Sequence, residues 1–208
     1  MEKLLCKVEE MKKDDIRKVI DNRISEFKEL GRKTTQEIFK ELCFCLLTAN
    51  YDAEKAIRIQ KEIGNGFLTL SEQQLAEKLK ELGYRFPNKR AQFIAEARQH
   101  KDSLKRIING FEYENELRGW FANNIKGIGY KEASHFLRNI GFENFAIIDF
   151  HILDILSEHG MIEKPKTLNA KNYIEIETVL KDLGKKLSLN MAELDLYLWY
   201  CETGKVMK

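Results

Sequence analysis

Lys131 and Asp149, eighteen positions apart, have a type and setting better suited to chemistry than to packing. Lys131 falls in the first turn of a helix expected to begin at Tyr130, where the positive end of the helix dipole disfavours a cation. Partial desolvation there would make the ammonium give up its proton more easily, and a neutral amine is the nucleophile that forms a Schiff base with a sugar carbon. Asp149 follows the apolar run FAII and precedes the helix-like stretch FHILDIL. Its plainest reading is a helix N-cap. A carboxylate held at a helix N-terminus stays ionised, so it also suits the stabilisation of positive charge on a sugar as its bond to a base breaks, as in glycoside hydrolysis.

These residues must be positioned by the segment NNIKGIGYKEASHFLRNIG, in which Gly127 and Gly129 flank Ile128. A helix ending near Asn124 meets this short turn, and a second helix starts at Tyr130 with Ala133, Phe136, Leu137 and Ile140 on one face. Glycine on both sides of Ile128 allows positive φ and close approach of the backbone to a partner. The amides that open the second helix then face outward as an anion site suited to a phosphate. On those three residues alone a plain tight turn between helices is an equal reading.

Nearly every other segment reads as helix. TTQEIFKELCFCLLTA carries an expected capping box, Thr34 with Glu37, followed by Ile38, Leu42, Cys45 and Leu46 at helical spacing; SEQQLAEKLKELG repeats the plan with Ser71, Gln74 and the stripe Leu75, Leu79, Leu82. Further helices are expected over 15–30, 52–63, 88–100, 115–124, 130–140, 150–159, 169–183 and 191–201. Pro87 and Pro165 are expected to lie between helices, and no segment alternates long enough to be a strand. The fold class is therefore all-α, about ten short helices.

Composition narrows the function. An apolar fraction of 43% and a charged fraction of 33% describe a soluble globular chain, and the net charge of +2 is too small to announce a nucleic-acid partner without a local basic face. The longest apolar run, near 42–49, is far too short for a membrane span, and the first residues lack a signal-peptide core, so no membrane partner and a cytoplasmic setting are expected. Cys6, Cys43, Cys45 and Cys201 show no zinc or iron–sulfur spacing and read as buried, reduced thiols; His100, His135, His151 and His159 form no metal pattern either.

Taken together, Gly127-Ile128-Gly129, Lys131, Asp149 and His151 resemble the signature of the helix-hairpin-helix DNA glycosylase superfamily. ELCFCLLTAN, ASHFLRNIG, AIIDFHI and the tail ELDLYLWYCETGKVMK extend the match over essentially the whole chain, and together they resemble the archaeal-type 8-oxoguanine DNA glycosylase/AP lyases. The resemblance implies two helical lobes flanking a cleft: one over about 34–140, a helical barrel containing the hairpin at 118–140, the other over about 1–33 and 141–208. It implies a bifunctional enzyme of base excision repair. Lys131 would attack the deoxyribose C1′, Asp149 would activate the amine and steady the sugar cation, and β-elimination would cut the strand.

A glycosylase acting on duplex DNA extrudes its target and holds the base against aromatic faces. The family match places Phe86 and Trp199 on either side of the flipped base, although Trp199 taken alone reads better as core on the LDLYLWY stripe. 8-Oxoguanine differs from guanine in carrying a proton on N7, so the reader must be an acceptor; the terminal Lys208, through carboxylate or side chain, is the candidate, against the alternative of a frayed tail. His151, Gly127 and Gly129 correspond to phosphate-contacting positions, and Asn50 to one that fills the gap left by the extruded base, though a helix C-terminal Asn is common anyway. Backbone carbonyls of Asn123, Ile125 and Ile128 are where a structural monovalent cation would sit. No other cofactor is expected, and the protein is expected to act as a monomer on double-stranded DNA containing 8-oxoguanine. One departure is Phe150, where comparable members often carry arginine; it puts a phosphate contact in doubt.

Three other readings compete. A non-catalytic helix-hairpin-helix module would hold DNA and give Lys131 and Asp149 no role. A glycosylase for another damaged or mismatched base usually carries a four-cysteine iron–sulfur loop, which this chain lacks. A helical interaction scaffold leaves the grouping of G-I-G, Lys131 and Asp149 unexplained.

Overall fold

The computed structural model describes all of residues 1–208, which form helices and connecting turns without strands. In chain order these are α1 (Glu2–Met11), α2 (Ile16–Arg32), α3 (Thr35–Thr48), α4 (Ala53–Ile63), α5 (Gly66–Thr69), α6 (Glu72–Glu81) and α7 (Pro87–Ala97). A 3-10 turn at Arg98–His100 follows, then α8 (Leu104–Ile108), α9 (Glu114–Asn124), α10 (Tyr130–Asn139), α11 (Phe150–Glu158), α12 (Ala170–Leu187) and α13 (Met191–Thr203). The expected all-α class holds.

The chain divides into two compact units, one of Met1–Gly31 with Leu137–Lys208 and the other of Arg32–Phe136. The boundaries expected at about 33/34 and 140/141 fall here at 31/32 and at 136/137, the second within the residues of α10.

In the Arg32–Phe136 unit, α3 is the central helix, with α4, α5, α7 and α8 packed against it. The sequence pattern suggested an apolar stripe, but Ile38, Phe39 and every residue over 41–48 are buried. A helix surrounded by neighbours needs apolar residues all round. Cys43 and Cys45 therefore both lie inside despite facing different directions, whereas Cys6 is exposed, contrary to the expectation of uniformly buried thiols. Glu41, inside this packing, accepts a hydrogen bond from Gln60 Nε2 at 3.0 Å.

Local caps set where these helices start. Ser71 and Gln74 form the full reciprocal box at α6. At α3 only half the expected box exists: Thr34 accepts from the Glu37 amide at 3.3 Å, while the Glu37 carboxylate is drawn to Lys40 one turn on. Pro87, expected between helices, is the first residue of α7, where its missing N–H costs nothing.

In the Met1–Gly31 and Leu137–Lys208 unit, α13 packs on α1, α11 and α12. The end of α2 approaches the end of α10 closely: a Cβ at Gly31 would lie 2.1 Å from the Ile140 carbonyl oxygen, so only glycine fits. Arg138, almost wholly buried, reaches Asp195 on α13 at 3.5 Å and sits 4.5 Å from the centre of the Phe27 ring on α2. One charged side chain thus ties three helices of this unit together.

Candidate active site

The turn between α9 and α10 follows from its glycines, with one difference from expectation. Gly127 adopts φ +87°, and a Cβ there would collide with the Phe93 ring of α7 at 2.3 Å, so glycine is required both for conformation and for contact. Gly129 has no positive φ. Its amide donates to the Glu132 carboxylate at 3.2 Å, so one of the amides expected to face a phosphate is occupied by the protein's own anion. The carbonyls of Asn123 and Ile128 accept no hydrogen bond within this unit, and that of Ile125 accepts one, from the Ile128 amide at 3.1 Å.

Lys131 is half-buried in the first turn of α10, and nothing in its own unit forms a hydrogen bond or ion pair with its ammonium. Lys126, five residues earlier, is by contrast paired with Glu96 at 3.1 Å.

Two other sequence candidates lie in the same unit. Phe86, 46% exposed, stands at the N-cap of α7 with the Arg85 guanidinium 4.8 Å from its ring centre. Asn50 is exposed in a left-handed conformation at φ +56°, just past the end of α3. What fixes both was not visible in the sequence. Arg90 on α7 donates to the Ala49 carbonyl at 2.9 Å and to the Tyr84 hydroxyl at 3.1 Å, and that hydroxyl donates to the Leu47 carbonyl at 2.8 Å. The Asn50 turn and the loop leading to Phe86 are thereby braced by one buried polar network. Burial pushes the Tyr84 phenol up, with Arg90 opposing.

The remaining candidates lie in the other unit. Asp149 is the N-cap of α11, its carboxylate accepting from the Ile152 amide at 3.0 Å. His151, the second residue of α11, places its Nδ1 3.8 Å from Glu202 and its ring edge-on to Trp199 at 4.8 Å. Phe150, 63% exposed, lies against the His151 ring at 3.9 Å. Trp199 is not core: Tyr197 and Leu198 are buried, whereas Trp199 is partly exposed, and its indole N–H is buried without an acceptor. Gly204 at φ +69° ends α13, and Val206, Met207 and Lys208 are each half-buried, unlike a frayed tail.

The segment at 145–148 is buried and outside any helix or sheet. Its polar backbone is met by two side chains of α12: the Ala146 amide donates to Glu177 at 3.0 Å, and the Tyr173 hydroxyl donates to the Ala146 carbonyl at 2.7 Å and accepts from the Ile148 amide at 3.2 Å. The sequence signal was a tyrosine and a glutamate four residues apart on an otherwise apolar helix stripe.

Comparison with known proteins bears directly on this arrangement. The family model described as 8-oxoguanine DNA glycosylase matches residues 20–189. This chain belongs to the 8-oxoguanine DNA glycosylase family. Among relatives of that family, the 8-oxoguanine DNA glycosylase/AP lyase of Methanocaldococcus jannaschii is 55% identical over 206 residues, covering 99% of each chain. That of Thermotoga sp. strain RQ2 is 45% identical over 210 residues, covering 100% of each. The crystal structure of the Methanocaldococcus jannaschii 8-oxoguanine glycosylase/lyase in complex with a 15mer DNA containing 8-oxoguanine matches with a TM-score of 0.96, 55% identity and 99% coverage of each chain.

Proposed function

We propose that this protein removes 8-oxoguanine from double-stranded DNA and then cleaves the strand at the resulting site, as a bifunctional DNA glycosylase/AP lyase. The observation that carries this reading is full-length identity above half to a relative that bears that name, combined with an unpaired lysine at the start of α10. In this mechanism the neutral Lys131 amine bonds to deoxyribose C1′ as the bond from C1′ to the base breaks, and the base leaves with the electron pair and takes up a proton. Asp149, at the α11 N-terminus, faces the positive charge that builds on the sugar. The attached nitrogen then loses a proton and the C1′–O4′ bond breaks, O4′ taking up a proton, so that the sugar ring opens to the Schiff base; this acidifies the C2′ proton, and loss of that proton expels the 3′ phosphate and cuts the strand.

Phe86 and Trp199 hold the extruded base by stacking, and Lys208 supplies the acceptor that distinguishes protonated N7 of 8-oxoguanine from guanine. Gly127, Gly129 and His151 contact phosphates, which position the enzyme without reading sequence, and Asn50 fills the space the base leaves. The carbonyls of Asn123, Ile125 and Ile128 suit a structural monovalent cation, since at least two of them have no donor in their unit. Such a cation would hold the turn, and the chemistry itself requires no cofactor and no iron–sulfur cluster. The protein acts as a monomer in the cytoplasm, on chromosomal DNA; no helix is long and apolar enough to cross a membrane.

Borohydride trapping on a duplex carrying one 8-oxoguanine tests this reading. A covalent adduct is expected with the native protein on damaged DNA and is expected to be absent with Lys131→Gln or on undamaged DNA. Equal trapping by Lys131→Gln would remove Lys131 as the nucleophile; no adduct from the native protein, with DNA binding intact, would leave a DNA-binding module or a different lesion.

A further inference from the structure

An extended chain inside a protein is costly unless its amides and carbonyls find partners, which is why such segments usually join a sheet. Residues 145–148 have no sheet to join. The N–H and C=O of residue 146 and the N–H of residue 148 all turn toward α12. On that side Glu177 takes the first and the Tyr173 hydroxyl takes the other two, so the two side chains of α12 replace a neighbouring strand. Both are 2% exposed, and they lie one turn apart on the same face of the helix, the spacing needed to reach successive groups along one edge.

The segment they hold ends at Asp149. Its carboxylate accepts from the Ile152 amide at the start of α11, and its backbone enters from residue 148. The first fixes the end of the side chain, and the second fixes where the residue starts. We infer that Tyr173 and Glu177 are positioning residues for Asp149, holding its backbone where the carboxylate faces the sugar during base release. This inference rests on the proposed role of Asp149 as the group that faces sugar positive charge.

The two chemical steps demand different things of Asp149, and that difference provides the test. Base release builds positive charge on the sugar; a preformed abasic site has no base to lose and places less demand on the carboxylate. Single-turnover rates are measured with the full-length protein for base release from an 8-oxoguanine duplex and for strand cleavage of a duplex carrying an abasic site, in native protein, Asp149→Asn, Tyr173→Phe, Glu177→Gln and Glu177→Met.

Tyr173→Phe is expected to slow base release about tenfold, the scale of a small misplacement of a reacting group, while leaving abasic-site cleavage and affinity for the damaged duplex within about twofold. Glu177→Gln, which keeps an acceptor for the Ala146 amide, is expected to preserve the ratio of the two rates, and Glu177→Met to lower it. A substitution that only loosened the fold would reduce both rates together in proportion to the active fraction. If Asp149→Asn lowers the ratio but neither Tyr173→Phe nor Glu177→Met does, the positioning role is wrong while the role of Asp149 stands. If Asp149→Asn itself leaves the ratio unchanged, the role of Asp149 fails, and the positioning role with it.

Discussion

The amide of Gly129 donates to the carboxylate of Glu132 three residues on, at 3.2 Å, so the turn that opens α10 already holds an anion. This is half of a capping box, and it stabilises the start of the helix that carries Lys131. It also places negative charge where a DNA phosphate is proposed to bind. The two roles oppose each other: what steadies the free protein resists the nucleic acid.

Glu132→Gln separates them. The amide oxygen of glutamine still accepts from Gly129, while the charge is gone. Affinity for duplex DNA at low salt is expected to rise about two- to fivefold, the scale of one charge at a helix N-terminus, with a loss of stability of about 0.3–1 kcal/mol. Fluorescence anisotropy and urea unfolding measure the two. Weaker DNA binding by the variant would show that the carboxylate supports the DNA-bearing turn rather than competing with phosphate.

The brace behind Asn50 makes a sharper prediction about stability. Tyr84 is 4% exposed, and its hydroxyl both donates to Leu47 and accepts from Arg90. Tyr84→Phe leaves a buried carbonyl and a buried guanidinium N–H short of a partner, which should cost about 1–3 kcal/mol in urea unfolding. A loss within error of zero would mean that water or rotation of Arg90 replaces the hydroxyl.

What could be read from the sequence was what is local. Ser71 with Gln74 and Asp149 before its helix carry their own caps in adjacent residues, and Gly127 declares a turn because no other residue takes its conformation against Phe93. Lys131 stood out because a cation opposes the dipole at that position. The helices that escaped were those with too little pattern: α1 buries only Leu4 and Val8, α5 is four residues long and α8 five. The networks of Arg90 with Tyr84 and of Tyr173 with Glu177 escaped for another reason. Their partners are backbone atoms distant in sequence, and no residue type advertises a carbonyl 41 positions away.

Acidification provides a test through His100, whose ring stands edge-on to Trp120 at 5.2 Å. Burial pushes its imidazole below the ordinary value of 6.5, so the folded protein holds it neutral where the unfolded chain protonates. Below pH 6.5 the unfolded chain therefore binds more protons, and stability falls as the pH is lowered through that range. Melting temperatures at pH 7.5 and pH 5 are expected to differ more in the native protein than in His100→Phe. Equal differences would show that folding is not linked to this imidazole.

Phe150 is the residue at which this chain departs from the arginine expected between the aspartate and the histidine, and the structure leaves its ring 63% exposed against His151. An arginine there would reach outward beside a proposed phosphate contact, and each added phosphate contact steepens the dependence of log K on log salt by about 0.9. Phe150→Arg is thus expected to tighten DNA binding at low salt and to bring this steepening. It should also cost about 0.3–1 kcal/mol of stability, because the new cation sits in the first turn of α11, where the helix dipole opposes it. Binding titrations across a range of salt concentrations read the slope directly. A variant that binds more tightly with an unchanged slope would have gained a contact other than a phosphate, and one that binds more weakly would show that the aromatic ring itself, tilted against His151, forms part of the DNA-facing surface.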